Sequence, residues 1–260
     1  MIELCGVTQH YGVRPVLRHI ELQIKAGELT AIVGPNGMGK STLLGVIAGV
    51  LSPNKGHVTI DGVRRRRSEQ EELEIRRRVV YLPDHPWLPM NRTGREFLLG
   101  VGRLYDVDSE QLFDHIDRLL TLFDLTREGD WPMRSYSNGQ KKKIAICSAL
   151  VSEAPILLLD EPFAGGLDPS GILALKRVLS RLAERKDRTV IITAPVPELV
   201  EEIGQKIIVL REGIVVAHDT LEGLRRQAPG AGSLEEILAT LIHPKTMENI
   251  ELYFGEAAKP

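Results

Sequence analysis

The sequence predicts an α/β protein in which a helical segment interrupts the pattern of strands. Short apolar runs typical of buried strands occur in the first third of the chain and again beyond about residue 155, where they alternate with helical patterns. The strand pattern is lost between about residues 91 and 151. One helical face of residues 109–125 carries five apolar side chains, Leu112, Ile116, Leu119, Leu120 and Phe123. We therefore expect an α/β core with an inserted α-helical subdomain.

The runs assigned as strands differ in their patterning. Residues 20–24, "IELQI", alternate apolar and polar side chains, whereas residues 29–34, "LTAIVG", form the continuous apolar run of a buried strand. Residues 56–62, "GHVTIDG", are a short strand ending in an Asp-Gly turn. Three later apolar runs also predict buried strands, namely "PILLLD", "TVIIT" and "KIIVL".

The composition is that of an ordinary globular protein. The 260 residues are 43% hydrophobic and 26% charged, with a formal net charge of −2, so no nucleic-acid partner and no anionic membrane surface is indicated. Cys5 and Cys147 lack the spacing of a metal site and are expected as reduced thiols. The polar first ten residues predict no signal peptide, and no apolar run approaches the ~18 residues of a membrane-spanning helix. Spanning segments would then have to come from another chain.

One stretch, residues 64–78, is dominated by charge. It contains seven arginines and four glutamates. Contact with lipid headgroups or nucleic acid is one interpretation. The four glutamates offset more than half of the arginine charge, however, and a solvated surface segment is favoured.

A glycine-rich loop follows the first buried strand and opens a helix. Its sequence, "GPNGMGKST", matches the phosphate-loop pattern G-x-x-x-x-G-K-[ST] in full and in the required strand–loop–helix context. Glycines let backbone N–H groups curl around phosphate oxygens, and the helix N-terminus adds a positive dipole end. Lys40 is expected to reach the β- and γ-phosphates, and the Ser41 hydroxyl to bind Mg²⁺. The predicted ATP-binding residues are Gly34, Pro35, Asn36, Gly37, Met38, Gly39, Lys40, Ser41 and Thr42.

Two carboxylates follow a later buried strand, "ILLLDEP". Asp160 ends that strand, where it can hold Mg²⁺ through water, and Glu161 lies one residue further on, where it can polarise an attacking water. Acidic residues also end strands for structural reasons. Together with a complete phosphate loop, the pair favours a nucleotide hydrolase in which Lys40 and Glu161 are catalytic.

The stretch "YSNGQKKKIAICSAL", residues 136–150, indicates which kind of nucleotide hydrolase this is. It resembles the signature segment of ATP-binding-cassette (ABC) ATPases, usually Leu-Ser-Gly-Gly-Gln. The matching positions are Ser137, Asn138, Gly139 and Gln140. Ser137 and Gln140 also have the spacing of a helix capping box, and both interpretations can hold. Asn138 replaces a glycine; asparagine tolerates left-handed backbone, so this departure is treated as mild.

The resemblance to ABC ATPases covers residues 2–224. It implies a phosphate-loop NTPase fold with a RecA-like core, an N-terminal antiparallel β subdomain and an inserted helical subdomain at about 91–151. Tyr11 matches the aromatic residue that stacks on adenine, and Asp168 in "GGLDP" matches a loop that communicates across a dimer. The cofactors implied are ATP and Mg²⁺. The partners implied are a second ABC subunit, in a homodimer or heterodimer that sandwiches two ATP molecules with signature segments acting in trans, and a separate transmembrane permease.

Two positions depart from the family pattern. After the strand ending near Tyr81 the family usually has Tyr-Leu-Pro-Gln, and here Asp84 replaces the glutamine that touches Mg²⁺ and water. The Asp84 carboxylate is still a candidate Mg²⁺ ligand with Ser41 and Asp160, although its charge faces an anionic nucleotide, and the adjacent His85 is one residue displaced from that role. After "TVIIT" the family has a histidine that contacts the γ-phosphate, and here Ala194 and Pro195 occupy the strand end. We therefore expect good ATP binding and slow hydrolysis.

Residues 225–260 are expected to form a C-terminal extension. Residues 233–242, "SLEEILATLI", predict a capped amphipathic helix, with Ser233 and Glu236 as a capping box. A similar segment closes the ATPase subunits of many bacterial exporters. The favoured hypothesis is the ATPase subunit of an exporter, peripheral on the cytoplasmic face of the membrane. A soluble ATP-gated regulatory or assembly module and a non-hydrolysing switch remain alternatives.

Overall fold

A computed structural model describes residues 1–194, 196–242 and Tyr253. Within that part of the chain there are ten strands and nine α-helices. The strands are β1 (Ile2–Tyr11), β2 (Arg14–Ile24), β3 (Leu29–Val33), β4 (Lys55–Ile60), β5 (Val63–Arg64), β6 (Val79–Leu82), β7 (Ile156–Leu159), β8 (Thr189–Thr193), β9 (Lys206–Arg211) and β10 (Ile214–Asp219). The helices are α1 (Lys40–Ala48), α2 (Glu69–Arg78), α3 (Gly94–Leu104), α4 (Ser109–Leu122), α5 (Asn138–Val151), α6 (Pro169–Arg185), α7 (Pro197–Ile203), α8 (Leu221–Gln227) and α9 (Leu234–Ile242). None of these helices is long and apolar enough to span a bilayer.

The larger sheet has six strands in the order β10-β9-β3-β8-β7-β6. All neighbouring strands are parallel except β10, which pairs antiparallel with β9. β3, β7 and β8 are buried along their whole length, which explains their continuous apolar sequences. Because these three strands are parallel neighbours, their carboxyl ends meet at one edge of the sheet. The phosphate loop, the Asp160–Glu161 pair and residue Ala194 all follow strands at that edge.

A separate four-stranded antiparallel sheet has the order β2-β1-β4-β5. Ile2 is in register with Ile24 on β2 and with Ile60 on β4, and all three side chains are fully buried. Together with Leu43 and Leu44 of α1 they form a core between the two sheets. The predicted Asp-Gly turn joins β4 to β5, with Asp61 at φ 50° and a glycine at φ 79°.

The helical segment lies between β6 and β7. α3, α4 and α5 pack together around the apolar face of α4. The five side chains predicted to lie on that face are all buried: Leu112, Ile116, Leu119, Leu120 and Phe123. The proposed limits of this subdomain at about 91 and 151 stay predictions.

The arginine-rich stretch includes α2, and part of it is buried. Arg65 and Glu72 are only 6% and 9% exposed, and Nη1 of Arg65 lies 2.8 Å from Oε1 of Glu72. The expectation of a solvated segment is therefore wrong for these two residues. The sequence pattern could not show it, because an internal ion pair and a solvated one have the same composition.

The C-terminal helix α9 packs on the core. Four of its predicted apolar side chains are buried (Leu234, Ile237, Leu238 and Ile242) and Leu241 is partly buried. The Ser233 hydroxyl accepts a hydrogen bond of 3.2 Å from the amide of Glu236, as in a capping box. In a complete capping box the Glu236 carboxylate would accept a hydrogen bond from the amide of Ser233. Here it accepts one from the amide of Gly232, one residue earlier. The proposed domain boundary after residue 224 falls inside α8, and residues 243–260, except Tyr253, lie outside the described residues.

Candidate functional site

The glycine-rich loop between β3 and α1 is built from left-handed backbone. Gly34, Gly37 and Gly39 have φ values of 153°, 79° and 99°, which side-chain-bearing residues rarely adopt. A Cβ atom on Gly34 would lie 2.3 Å from the carbonyl oxygen of Leu210. No side chain caps the first turn of α1. The amides at this helix N-terminus are therefore available to an anion, which is what a phosphate cradle requires.

The side chain of Lys40 folds over this loop. Its ammonium group donates to the carbonyl oxygens of Gly34 at 2.8 Å and Pro35 at 3.2 Å, and lies 3.4 Å from Oδ1 of Asn36. Lys40 is buried, and burial lowers the pKa of its ammonium group, while Glu161 and Asp160 oppose that shift. Lys40 is thus a positive charge held at the loop by backbone oxygens.

Asp160 is the centre of a buried hydrogen-bond group. Its Oδ1 accepts from Oγ of Ser41 at 3.1 Å and from Oγ1 of Thr193 at 2.6 Å. The backbone amide of Asp160 donates to the carbonyl of Leu82 on β6. The carboxylate is therefore fixed by groups from α1 and β8, and the backbone of Asp160 by β6. Thr193 was not among the predicted site residues; its place at the end of a buried strand beside the Asp160 strand is the signal that could have found it.

Glu161 leaves the strand in an unusual conformation. Its φ is 45°, in the left-handed region, which strains a residue other than glycine. Its amide donates to Oγ1 of Thr193 at 2.8 Å, so this hydroxyl holds the backbone in place. The side chain of Glu161 is partly exposed, unlike that of Asp160. The two neighbouring carboxylates thus have different surroundings, one enclosed and one open to solvent.

The donor set at this edge suits Mg²⁺. The Ser41 hydroxyl and the Asp160 carboxylate lie within hydrogen-bond distance of each other, and both are hard oxygen ligands. Mg²⁺ bound with a nucleotide usually takes one or two protein oxygens, with phosphates and water completing its shell. Ser41 and Asp160 would hold the ion, and nitrogen or sulfur ligands are not needed.

The N-terminus of α5 carries the signature-like residues. The Ser137 hydroxyl accepts from the amide of Gln140 at 3.2 Å, and Oε1 of Gln140 accepts from the amide of Ser137 at 2.9 Å, so the capping box is complete. Asn138 is the first helical residue and has no positive φ. The reason given for tolerating Asn138, a left-handed backbone, is therefore wrong. Gly139 packs against the carbonyl of Gly166, where a Cβ atom would lie at 2.6 Å.

Two lysines of α5 are buried beside the site, and the sequence interpretation missed both. Nζ of Lys143 donates to Oδ2 of Asp168 at 2.7 Å. Nζ of Lys142 lies 3.6 Å from Oδ1 of Asp84 and donates to the carbonyl of that residue at 3.3 Å. The sequence signal for both was the run of three lysines, residues 141–143, in a helix whose other residues are mostly apolar.

Asp84 is held by contacts outside the Ser41–Asp160 group. Besides Lys142, its partner is His85, whose Nδ1 lies 2.9 Å from Oδ2. Burial first, and then Asp160, Tyr11 and Asp84, raise the pKa of Tyr81 to about 12, so Tyr81 on β6 lies in the field of these groups. Tyr11 at the end of β1 is 57% exposed, which leaves its ring free to stack on a base.

Among the described residues at the end of β8, only Thr193 has a side-chain donor. Ala194 is buried, and its amide lies 3.3 Å from the carbonyl oxygen of Ile32. Pro195 lies outside the described residues, so its predicted place at the switch position stays a prediction. Asp168, the predicted dimer-contact residue, caps α6 by accepting from the amide of Gly171 at 2.7 Å.

The parallel sheet, the glycine loop and the helix that follows it define a phosphate-loop nucleotide-binding fold. A sequence model of the ABC transporter family matches residues 17–164, more than half of the chain. The chain therefore belongs to the ABC transporter family. It is an ABC-type ATPase, and the cofactors of this type are ATP and Mg²⁺.

Three curated relatives show the range of the similarity. A daunorubicin resistance ATP-binding protein of Streptomyces coeruleorubidus is 30% identical over 229 residues, covering 88% of this chain and 71% of the relative. A Nod factor export ATP-binding protein of Rhizobium leguminosarum bv. viciae is 30% identical over 251 residues, covering 94% and 78%. A cobalt import ATP-binding protein of Salmonella paratyphi A is 33% identical over 209 residues, covering 80% and 76%.

Two solved structures have the same fold. The ATP-binding subunit of an ABC transporter superposes with a TM-score of 0.83 at 31% identity, covering 93% of this chain and 99% of that one. A dimeric, post-hydrolysis ATP-binding cassette bound to ADP and Pi superposes with a TM-score of 0.76 at 28% identity, covering 85% and 99%. The predicted core, antiparallel sheet and helical insertion are thereby confirmed as the fold of an ABC ATPase.

Proposed function

We propose that this chain is the ATP-hydrolysing subunit of an ABC exporter and that it hydrolyses ATP slowly. The observation that carries the proposal is the joining of the phosphate loop to the carboxylate pair: Ser41 contacts Asp160, and Thr193 binds both Asp160 and the backbone of Glu161. This arrangement can bind a nucleoside triphosphate and present a carboxylate to water.

Each part of the site has a role in the proposed reaction. The loop amides and Lys40 bind the β- and γ-phosphates, and Tyr11 stacks on adenine. Ser41 and Asp160 would hold Mg²⁺, which would neutralise phosphate charge. Glu161 accepts a proton from the attacking water, and its open surroundings give water access. The signature residues at the start of α5 serve the site of a second subunit, since the helix N-terminus offers amide groups to a phosphate.

Slow hydrolysis is inferred from the two residues that follow β8. Ground-state binding of ATP needs the loop and Lys40, whereas a donor to the γ-phosphate mainly stabilises the transition state. Neither Ala194 nor Pro195 has a side-chain donor. Loss of one preorganised donor reduces a rate by about 10²–10³. Binding should therefore be preserved while turnover falls.

The direction of transport is inferred from the C-terminal part of the chain. The match to the Nod factor export protein covers 94% of the chain and so includes α9, whereas the match to the cobalt import protein covers 80%. α9 packs against β9, α7 and α8, so it belongs to the folded unit. A cbiO1 structure also matches over 96% of this chain, so coverage of α9 does not separate the two directions. The export class is supported by the Nod factor export relative and by the resemblance of residues 233–242 to the closing segment of exporter subunits.

The partners follow from the proposed role. The related cassette bound to ADP and Pi is a dimer, and we propose that the signature segment of this chain acts in trans in such a dimer. A cbiO1 protein with a TM-score of 0.72 and 25% identity is described as part of a transporter complex. We propose that this chain likewise forms a dimer, homomeric or heteromeric, on the cytoplasmic face of a separate transmembrane permease.

The test is phosphate release by the purified protein with Mg-ATP, measured together with an ATP-binding titration. The control is Glu161→Gln, which preserves size and removes the proton acceptor. The proposal expects ATP binding by both proteins and slow release that disappears in Glu161→Gln. Binding with equal release by both would reject the ATPase mechanism and favour a nucleotide switch. Rapid phosphate release by the wild type would show that the missing side-chain donor after β8 does not limit the rate of hydrolysis.

A further inference from the structure

Lys142 is a buried cation that faces the nucleotide site from α5. Its side chain is 4% exposed, and its ammonium group lies 3.6 Å from Oδ1 of Asp84. It also donates to the backbone carbonyl of Asp84 at 3.3 Å. The stem of Lys142 passes Gly165, where a Cβ atom would lie 3.5 Å from Cδ. One side chain thus contacts the segment after β6 and lies beside the segment after β7.

Lys142 and Asp84 depend on their ion pair to different degrees. Burial lowers the pKa of the Lys142 ammonium group, while Asp84 first, and then Asp160 and Glu161, oppose that shift. The Asp84 side chain is 32% exposed and has a second partner in His85. Removal of Asp84 leaves a buried charge without its counter-ion, whereas removal of Lys142 leaves a carboxylate that water can reach.

The charged groups around the Lys142–Asp84 ion pair determine how the pair affects nucleotide binding. Asp84, Asp160 and Glu161 are all negative, and each acts on Lys142. Two lysines interact with Asp160 and Glu161 at this edge: Lys40, from the phosphate loop, and Lys142, from α5. An anionic nucleotide at this edge meets an additional carboxylate in Asp84. Lys142 offsets that charge at a distance of 3.6 Å.

We propose that Lys142 is a positioning residue that fixes the Asp84 segment against α5 and neutralises Asp84, so that ATP binds despite a carboxylate at this position. The neighbouring Lys143 makes the corresponding contact to Asp168 in the segment after β7. The first turns of α5 are therefore tied to two loops at the carboxyl edge of the sheet. This inference deepens the proposed function and rests on it only for the nucleotide measurement.

The first measurement is a double-mutant cycle of thermal unfolding without nucleotide, using Asp84→Asn, Lys142→Gln and the double variant. Asp84→Asn is expected to lower the Tm by roughly 5 °C while Lys142 is present. In the Lys142→Gln background the same change is expected to have little effect. Lys142→Arg keeps the charge and should behave like the wild type. Equal Tm shifts in both backgrounds would overturn the proposal.

The second measurement is the Kd for Mg-ATP of the same four proteins. Lys142→Gln is expected to weaken binding by about three- to tenfold through the unneutralised carboxylate, and Asp84→Asn should restore it in the double variant. A purely structural role of Lys142 would predict no such restoration, and that result would overturn the proposal. Lys141→Gln is the matched control, because it removes the same charge one residue away, where no ion pair is formed within the described part of the chain.

The two measurements separate this inference from the proposed function. If the wild type binds no ATP, the proposed function fails, while the unfolding cycle still decides whether Lys142 and Asp84 are coupled. If the wild type binds ATP and the cycle is additive, the proposed function stands and the role of Lys142 is rejected. If Asp84→Asn does not fold but the double variant does, the rescue itself supports the coupling.

Discussion

Oγ1 of Thr193 donates a hydrogen bond of 2.6 Å to Oδ1 of Asp160, and both side chains are buried. The same hydroxyl accepts a hydrogen bond of 2.8 Å from the amide of Glu161. A hydroxyl has one donor and two acceptor lone pairs, so Thr193 satisfies both contacts at once. It thereby links the carboxylate of Asp160 to the backbone of Glu161.

Replacement of this hydroxyl by a methyl group is expected to affect stability and turnover together. Thr193→Val leaves the amide of Glu161 and one bond to Asp160 unsatisfied, which should lower the free energy of unfolding by about 1–3 kcal/mol. Urea unfolding and phosphate release measure the two effects. Thr193→Ser is the control, since it keeps the hydroxyl. If Thr193→Val and Thr193→Ser unfold at the same urea concentration, the hydrogen bonds do not contribute as argued.

Loss of the loop lysine is expected to separate binding from stability. Lys40→Met should weaken ATP binding by about ten- to a hundredfold, because a charged donor to the phosphates is removed. It should change the unfolding free energy little, since the removed cost of burying the Lys40 charge offsets the lost hydrogen bonds to Gly34 and Pro35. An ATP titration and urea unfolding of the same sample test this. The exposed Lys25, changed to Met, should alter neither value, and unaltered ATP binding in Lys40→Met would contradict the assigned role.

The ion pair between Asp168 and Lys143 predicts a pH dependence at the acidic end. The hydrogen bond from Lys143, helped by the amide of Gly171, lowers the pKa of Asp168 to about 2. A carboxyl group with a lowered pKa in the folded state contributes stability that is present above its unfolded pKa of about 4. That contribution should be lost as the pH falls from about 4 to 2.

Asp168→Asn tests this dependence because asparagine also caps helices and keeps the contact to Gly171. Unfolding free energies of the wild type and the variant should differ above pH 5 and converge near pH 2. A constant difference across this range would show that the charge of Asp168 is not responsible. The measurement needs only the isolated chain.

Local patterns in the sequence predicted the parts of the site that follow from chain geometry. The phosphate loop needs glycines at fixed spacing, and Gly34, Gly37 and Gly39 all have positive φ. The α4 face was predicted correctly because apolar periodicity reports directly on burial. In each case the physical requirement lies within one short segment.

Contacts between distant segments were not predictable in the same way. Lys142 and Asp84 are 58 residues apart in the chain, and neither residue alone indicates the other as its partner. Arg65 and Glu72 are close in sequence, but their burial depends on packing at the C-terminal end of α1, where Gly49 leaves room for the guanidinium group. Asn138 was misjudged for another reason: the backbone at that position is helical, so no left-handed residue is needed.

The strand end after β8 gives the most direct test of slow hydrolysis, and position 195 is the one to change. Ala194 is 2% exposed, so a histidine there would overpack the core, whereas Pro195 follows it in the sequence at the predicted switch position. Pro195→His should raise phosphate release by about a hundredfold if the missing donor limits the rate. Pro195→Ala is the matched control, since it also removes the proline ring but adds no donor. ATP affinity should stay the same in both variants, because the donor acts on the transition state. If phosphate release rises equally in both variants, the proline ring and not the missing donor limits turnover. If it rises in neither, the limiting step lies elsewhere. The next variant is then Asp84→Gln combined with Lys142→Gln, so that no buried lysine is left without its partner.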